Sequence, residues 1–454
     1  MYKGVDKKMT LQEYIDFYYD GDKFWFVDEV TKPHHTDRIM NIVNIKEYLM
    51  GKHSIKSRID EQYNGRIFKT RKICLQYAKP ILSFETSFLL KNPVTLIATD
   101  KKTLELFKDV YNEARYNNVD FKVLDRLVKY GQVFEYVYID EEGSITSKIM
   151  LPEDSYPVFD DMGNYIAFIE HYTIPSSCIS YYTVYTDDRV LTYDNYGGNG
   201  VRVTGEYINL TGLPIMYKTY NELDERQGRS DLEDYIDILD NMEDVLSKYM
   251  DSFYKFLNPI PVMKGTKLNI GAKGEGAVNP TVVGHVLQLD DGSDFNLITN
   301  QMDYKSLEEV WGILKQSLLD ISMTPAVSLN NTDISNLSEV SIKLLYSLAQ
   351  IKGTINEQYL KDGFIQRWEK IKKLLSFKGI DVAGHIDCSF EMSIPQNEKE
   401  VIENLKTLRE INGISLETLL AKTPYVYDVA GELSRIRNEG LTNEGLMGVK
   451  GQVN

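Results

Sequence analysis

Apolar positions recur at helical spacing from Ser230 to Phe256, at Leu232, Ile236, Leu239, Met242, Leu246, Tyr249 and Phe253, and predict one amphipathic helix. Ser230 with Glu233 three residues on is a capping-box signature for its start, and nothing interrupts it before Asn258-Pro259. Such a helix runs about 40 Å. Its other face is acidic, with Asp231, Glu233, Asp234, Asp237, Asp240, Glu243, Asp244 and Asp251 against Lys248 and Lys255. Alone, this pattern fits either a solvated surface helix or one strut of many packed side by side. A second stripe, Leu307, Val310, Trp311, Leu314, Leu318 and Ile321, predicts a returning helix over 301–321. A third helical pattern starts at Asn336 and Glu339 and continues to about Leu375 through Val340, Leu344, Leu348, Ile351, Ile355, Phe364, Trp368 and Ile371. It is unusually long for one straight helix, and Gly353 and Gly363 inside it predict bends.

The other elements follow from the same reading. Residues 1 to about 50 read as a mobile arm with a short helix after a Thr10/Glu13 capping box. Ile73 to Leu90 reads as a helix, Val94 to Ala98 as a strand, Leu104 to Ala114 as a helix capped by Asp100, and Asn118 to Tyr130 as another. Alternation then takes over. Val133–Ile139 and Ser144–Met150 form one hairpin, Tyr156–Phe159 and Tyr165–Tyr172 a second. Further strands lie at Ser180–Thr186, Arg189–Tyr193 and Val201–Tyr207. Residues 257–300 make a small insert between the first two long helices. Pro259–Met263 is strand-like but begins with prolines, as edge strands do, and His285–Leu289 is strand-like before a turn at Asp290–Ser293. After Gly379 come a strand over Cys388–Ile394 and helices at Glu398–Asn412, Leu416–Ala421 (capped by Ser415) and Val426–Asn438, then a glycine-rich tail. The class is α+β.

Composition narrows the chemistry. The chain has 454 residues, 43% of them hydrophobic, enough for two to four domains. A net charge of −16 argues against coating nucleic acid or an anionic membrane. It is compatible with a surface past which DNA moves without sticking. Cys74, Cys178 and Cys388 are far apart and show no spacing motif, so they read as reduced core residues. There is no signal-peptide pattern and no apolar run long enough to span a membrane. His34-His35 lacks further ligands nearby and reads as a surface or partner contact. Arg66, Lys69, Arg71 and Lys72 read as a solvated or subunit-facing cluster. Glu141/Glu142 and Asp160/Asp161 each sit beside a turn glycine, where backbone reasons explain them. No phosphate-binding loop occurs, and Gly271–Gly276 lacks the Ser/Thr and the helix that one needs. With no nucleophile elbow and no HExxH, neither an enzyme nor a cofactor is expected.

Three stretches taken in order carry a resemblance. One is Tyr130-Gly-Gln-Val-Phe-Glu-Tyr-Val-Tyr-Ile-Asp140 through Leu151-Pro152-Glu-Asp-Ser-Tyr156. The next is Gly212-Leu-Pro-Ile-Met-Tyr217 running into Gly228-Arg-Ser-Asp-Leu-Glu233. The last is Ser322-Met-Thr-Pro325 followed by Asn336-Leu-Ser-Glu-Val-Ser341. Their order over about residues 70 to 400 resembles the portal proteins of tailed bacteriophages, in particular those of siphophages and related phages of Gram-positive bacteria.

That resemblance implies a portal fold with a mixed wing over 1–229, stem helices over 230–256 and 301–321, and an α/β clip over 257–300. It further implies a tunnel loop over 322–335, a long bent helix and wing return over 336–394, and a short helical crown with tail over 395–454. It implies a ring of twelve copies at one capsid vertex, made in the bacterial cytoplasm, through which double-stranded DNA is packaged, retained and ejected. The implied partners are the terminase large subunit, a head-completion adaptor, and major capsid and scaffolding proteins. Thr324, Asn330, Asn331, Thr332 and Asp333 would face DNA, with Lys343 as a weak phosphate contact or an inter-subunit salt bridge. Lys264, Lys267, Lys273, His285, Asp290 and Asp291 would mark the docking clip, and Leu239, Leu246, Leu314 and Leu318 the packing of the stem. A metal-dependent nuclease or other enzyme of the packaging machinery is the alternative reading, and a monomeric α+β scaffold a third.

Overall fold

The computed structural model describes residues 9–63, 66–198, 200–256, 260–264, 292, 294–298, 304–325, 339–395, 398–423, 425–426, 429 and 431–438. The chain forms two compact units. One comprises Met1–Ser83, Arg126–Tyr136 and Ile149–Ser322, the other Phe84–Asp125, Val137–Lys148 and Met323–Asn454.

The first unit is built on a five-stranded antiparallel sheet in the order Arg202–Ile208, Arg189–Asp194, Ile179–Tyr185, Tyr165–Ile174, Ser155–Phe159. Strand alternation sends successive side chains to opposite faces. Ala167 and Ile169 join one core and Phe168 between them joins another. The first core is closed by Tyr14, Trp25, Phe26 and Val30. This corrects the reading of residues 1–50 as a mobile arm. The segment forms helices Leu11–Tyr19, Trp25–Glu29 and Pro33–Leu49, and its aromatic residues cover the sheet. The Thr10/Glu13 capping box is present as expected. On the other face, Phe168, Tyr185 and Val190 pack with Phe134 and Met150. Ile215–Lys218 pairs antiparallel with Gln132–Glu135. The expected helix Ile73–Leu90 begins only at Ala78; before it, the backbone N–H groups of Arg71, Ile73 and Leu75 are taken by side-chain acceptors. Of the insert, Ile260–Lys264 and Asp294–Ile298 form an antiparallel pair.

The second unit centres on Ser347–Phe377, a helix whose buried side includes Leu360, Phe364, Arg367, Trp368, Ile371 and Leu375. Gly353 and Gly363, where bends were expected, both lie within the continuous helix Ser347–Phe377. The helical pattern breaks instead at Tyr346, between Glu339–Leu345 and Ser347–Phe377. Gly353 serves packing: a Cβ there would stand 3.1 Å from the Met392 thioether and 3.3 Å from the Phe88 ring. Phe88, Ile342, Tyr346 and Ala349 form the core at that end. Ile386–Ser389 pairs with Thr95–Ala98, so the expected strand over Cys388–Ile394 lies a few residues earlier. Asp100 caps Lys101–Glu113 through the Thr103 N–H at 2.8 Å, and Ser415 caps Leu416–Lys422. Of the three cysteines only Cys388 is buried; Cys74 is half-buried. Cys178 is exposed in a turn with φ +54°, which corrects its placement in a core. Among the described residues no helix is long and apolar enough to cross a membrane.

Candidate functional site

Ser230 does start the expected helical segment, but not with a capping box. Its hydroxyl accepts from the Leu232 N–H at 3.2 Å and donates to the Lys129 carbonyl at 2.6 Å. A 3-10 turn over Asp231–Asp234 follows, and the α-helix itself runs Ile236–Phe256. The Glu233 carboxylate is taken by Arg229 at 3.2 Å and the Asn41 amide at 2.8 Å, so it cannot reach back to the cap. Tyr304–Ile321 returns against Ile236–Phe256. Leu239 and Leu318 are buried, and Leu246 and Leu314 half-buried.

The acidic face is the main correction. Glu243, Ser247 and Asp251 are buried, and each accepts a backbone N–H from one extended segment. Glu243 accepts from Leu75 at 2.5 Å, Ser247 from Ile73 at 3.0 Å and Asp251 from Arg71 at 2.7 Å. Four helical residues rise about 6 Å, close to the roughly 6.6 Å between alternate residues of an extended chain. Acceptors at i, i+4 and i+8 therefore match every second N–H of residues 71–75, and the helix face acts as a strand partner. Arg58 pairs with Asp251 at 2.8 Å and Ser54 donates to Asp240 at 2.8 Å. His53 Nδ1 lies 2.6 Å from Glu243 Oε1. Burial raises the Glu243 carboxyl above the usual carboxylate range, against the opposing pull of the Leu75 N–H and His53. The i, i+4, i+8 acceptor spacing was present in the sequence, but only the alternating segment 71–75 gives it a partner.

His34 and His35 separate in environment. His34 is exposed while His35 is buried beside Glu29, its Nε2 3.4 Å from the carboxylate, which corrects the surface reading for His35. Tyr14 and Tyr19 hydroxyls donate to Glu29 at 2.9 and 2.5 Å, and Lys32 pairs with it at 2.9 Å. Burial alone would raise the Glu29 pKa, but the donors of His35, Tyr19 and Lys32 outweigh it and hold the carboxyl at about 2. Burial lowers His35 to about 4, against the pull of Glu29. Both shifts make the fold acid-sensitive. Between pH 6.5 and 4 the unfolded imidazole takes up a proton and the folded one does not, so stability falls as pH drops. Glu29 adds stability above 4.5 that is lost as pH falls towards 2. The His35 contribution is about 3 kcal/mol. His35→Gln is expected to flatten the slope of melting temperature against pH between 6.5 and 4; an unchanged slope would refute this assignment.

The other predicted residues fall as follows. Asp160 anchors its turn, accepting the N–H groups of Met162 at 3.0 Å and Asn164 at 2.8 Å, and that of Met9 at 3.2 Å. Thr324 is half-buried and followed by a buried Pro325. Lys343 is exposed on Glu339–Leu345. Asn330, Asn331, Thr332 and Asp333 lie outside the described residues, as do Lys267, Lys273, His285, Asp290, Asp291 and the Lys264 side chain.

Comparison with known proteins places these elements in a family. The model of the SPP1 Gp6-like phage portal proteins matches residues 28–445. The portal protein of Bacillus phage SPP1 is 24% identical over 384 residues, covering 78% of this chain and 73% of that protein. Among solved structures, the C6-symmetric neck of an empty gene transfer agent particle gives a TM-score of 0.47 at 11% identity. That alignment covers 74% of this chain and 86% of the other. The C12-symmetric neck of the native particle gives 0.45 at 11% identity, covering 76% and 89%. The family match runs from the N-terminal helices that cover the sheet to beyond the last described helix, and on it the chain belongs to the SPP1 Gp6-like phage portal proteins.

Proposed function

We propose that the chain is the subunit of a ring-shaped DNA channel at one capsid vertex, serving genome packaging, retention and ejection. The family match over residues 28–445 carries this reading. Exposed apolar side chains on long helices support self-assembly. Ile313 and Val310 stand out from Tyr304–Ile321, and Val340, Leu344 and Ile351 from the helices at 339–377. Leu344 is 70% exposed, a poor arrangement for a monomer and a natural one for a surface that meets another copy. In this reading Ile236–Phe256 and Tyr304–Ile321 are the stem, residues 257–300 the clip for terminase and then the adaptor, and 322–335 the loop facing DNA. Residues from 395 form the crown. The negative charge of each copy, −16, suits a lining that phosphate slides past.

Negative-stain microscopy of the purified protein tests the assembly. Rings with a central hole are expected, and uniform monomers under all conditions would overturn the proposal. Lys343 is proposed as a weak phosphate contact near the tunnel loop. Lys343→Ala is expected to lower packaged or retained DNA in a phage complementation assay, and unchanged packaging and retention would remove that role. A nuclease would instead cut plasmid DNA with Mg²⁺ or Mn²⁺, and no cleavage is expected.

A further inference from the structure

We propose that His53, Cys74 and Glu243 form a zinc-binding site that fastens the extended segment around residue 74 to the middle of the Ile236–Phe256 helix. Their ligand atoms all lie within 4.8 Å of one another. They come from three separate stretches of chain, so the site exists only in the fold.

The hydrogen bonds of His53 point to a cation. Its Nε2 lies 3.0 Å from the Tyr48 carbonyl oxygen, which can only accept, so the proton belongs on Nε2. In the neutral ring Nδ1 then presents a lone pair, and it faces the Glu243 carboxylate at 2.6 Å. Two acceptors that close share a proton, and a zinc ion with bonds of about 2 Å to each takes its place once the pair opens to about 3.3 Å. A ligating histidine commonly donates its other N–H to a backbone carbonyl, which is the arrangement here. Glu243 supplies the second observation. The residue is fully buried, its Oε1 is held by the Leu75 N–H, and its Oε2 has no hydrogen-bond partner among the described residues. Cys74 adds a thiol, half-buried and so reachable by an ion. Burial and the Glu243 charge raise its pKa, a penalty that a bound cation reverses.

The donor set selects the metal. Imidazole, thiolate and carboxylate together suit zinc, and three protein ligands leave a fourth position for water. The charges also balance: Zn²⁺ against one thiolate and one carboxylate is neutral, which suits a buried place. The thiol loses its proton to solvent when the ion binds.

The test uses the full chain, stripped of metal and then given Zn²⁺ or Co²⁺ alone. One zinc per chain is expected by elemental mass spectrometry. Cobalt is expected to give a thiolate-to-metal charge-transfer band, lost in Cys74→Ser and kept in Cys178→Ser. In the unmodified protein, zinc should slow alkylation of Cys74 while leaving the exposed Cys178 unchanged, a readout that does not depend on any variant folding. Absence of bound zinc, or Cys74 alkylation unchanged by zinc, would overturn the proposal and leave a proton as what joins His53 to Glu243. Ring formation is not part of this readout, so the two proposals fail separately.

Discussion

Arg367→Ala is expected to cost about 3–5 kcal/mol of stability. The Arg367 side chain is fully buried in the second unit and pairs with Asp120, itself 1% exposed. The guanidinium also lies over the Phe364 ring at 4.4 Å and the Tyr116 ring at 4.8 Å. Alanine removes the cation facing a carboxylate that water does not reach, and empties the volume between two aromatic rings. Both penalties act together, because Asp120 must then be protonated or the core must open. The double replacement Arg367→Met with Asp120→Leu removes both charges and is expected to recover most of the loss. Denaturant midpoints of the parent chain and the two variants check this. A loss below about 1 kcal/mol in Arg367→Ala would mean the pair behaves like an exposed one.

That pair also shows where the sequence stops being informative. Phe364, Trp368 and Ile371 announced a buried helix face by their spacing, and the face is buried. Arg367 sits beside them and reads as solvated on composition, since only its distant partner on Tyr116–Tyr130 explains its burial. The same holds at Glu243 and Asp251. A helix with a polar face is expected to turn that face to water, yet here its polar atoms accept the N–H groups of Arg71, Ile73 and Leu75. Strands fared better. The hairpins Tyr156–Phe159 with Tyr165–Tyr172, and the three strands after them, follow from alternation and local turns, and the five-stranded sheet follows from their order. The break at Tyr346 had no breaker residue to mark it, whereas the two glycines that suggested bends lie in continuous helix, and at Gly353 other side chains pack closely against the backbone. The residues expected to face DNA or docking partners lie mostly outside the described part of the chain, and their role rests on the family.

Gly131→Ala and Gly228→Ala are each expected to destabilise the first unit by about 3 kcal/mol. The chain crosses itself at this point just before the Ser230 cap. Gly131 ends the Tyr116–Tyr130 helix with φ +75°, and its N–H donates to the Leu127 carbonyl at 2.7 Å. Its own carbonyl accepts from the Thr219 N–H at 2.9 Å. A Cβ on Gly131 would stand 2.5 Å from the Arg229 backbone, and one on Gly228 only 1.7 Å from the Gly131 carbonyl oxygen. The obstacle is backbone on both sides, so no rotamer change relieves it. Gly131 adds the left-handed conformation to the clash, so its substitution should be the worse of the two. Gly197 is the control: its φ is +94°, but a Cβ added there would meet nothing within 4 Å among the described residues, and alanine carries only the conformational cost of about 1–2 kcal/mol. Opening the crossing must move Arg229 and Ser230, which hold Glu233, Asp234 and the Lys129 carbonyl, and thereby the start of the Ile236–Phe256 helix. Melting temperatures should therefore fall in the order Gly197→Ala, Gly228→Ala, Gly131→Ala, and rings on negative-stain grids should become fewer in the same order. Equal effects at Gly197 and Gly228 would show that the crossing gives way without strain and that the start of the helix does not depend on it.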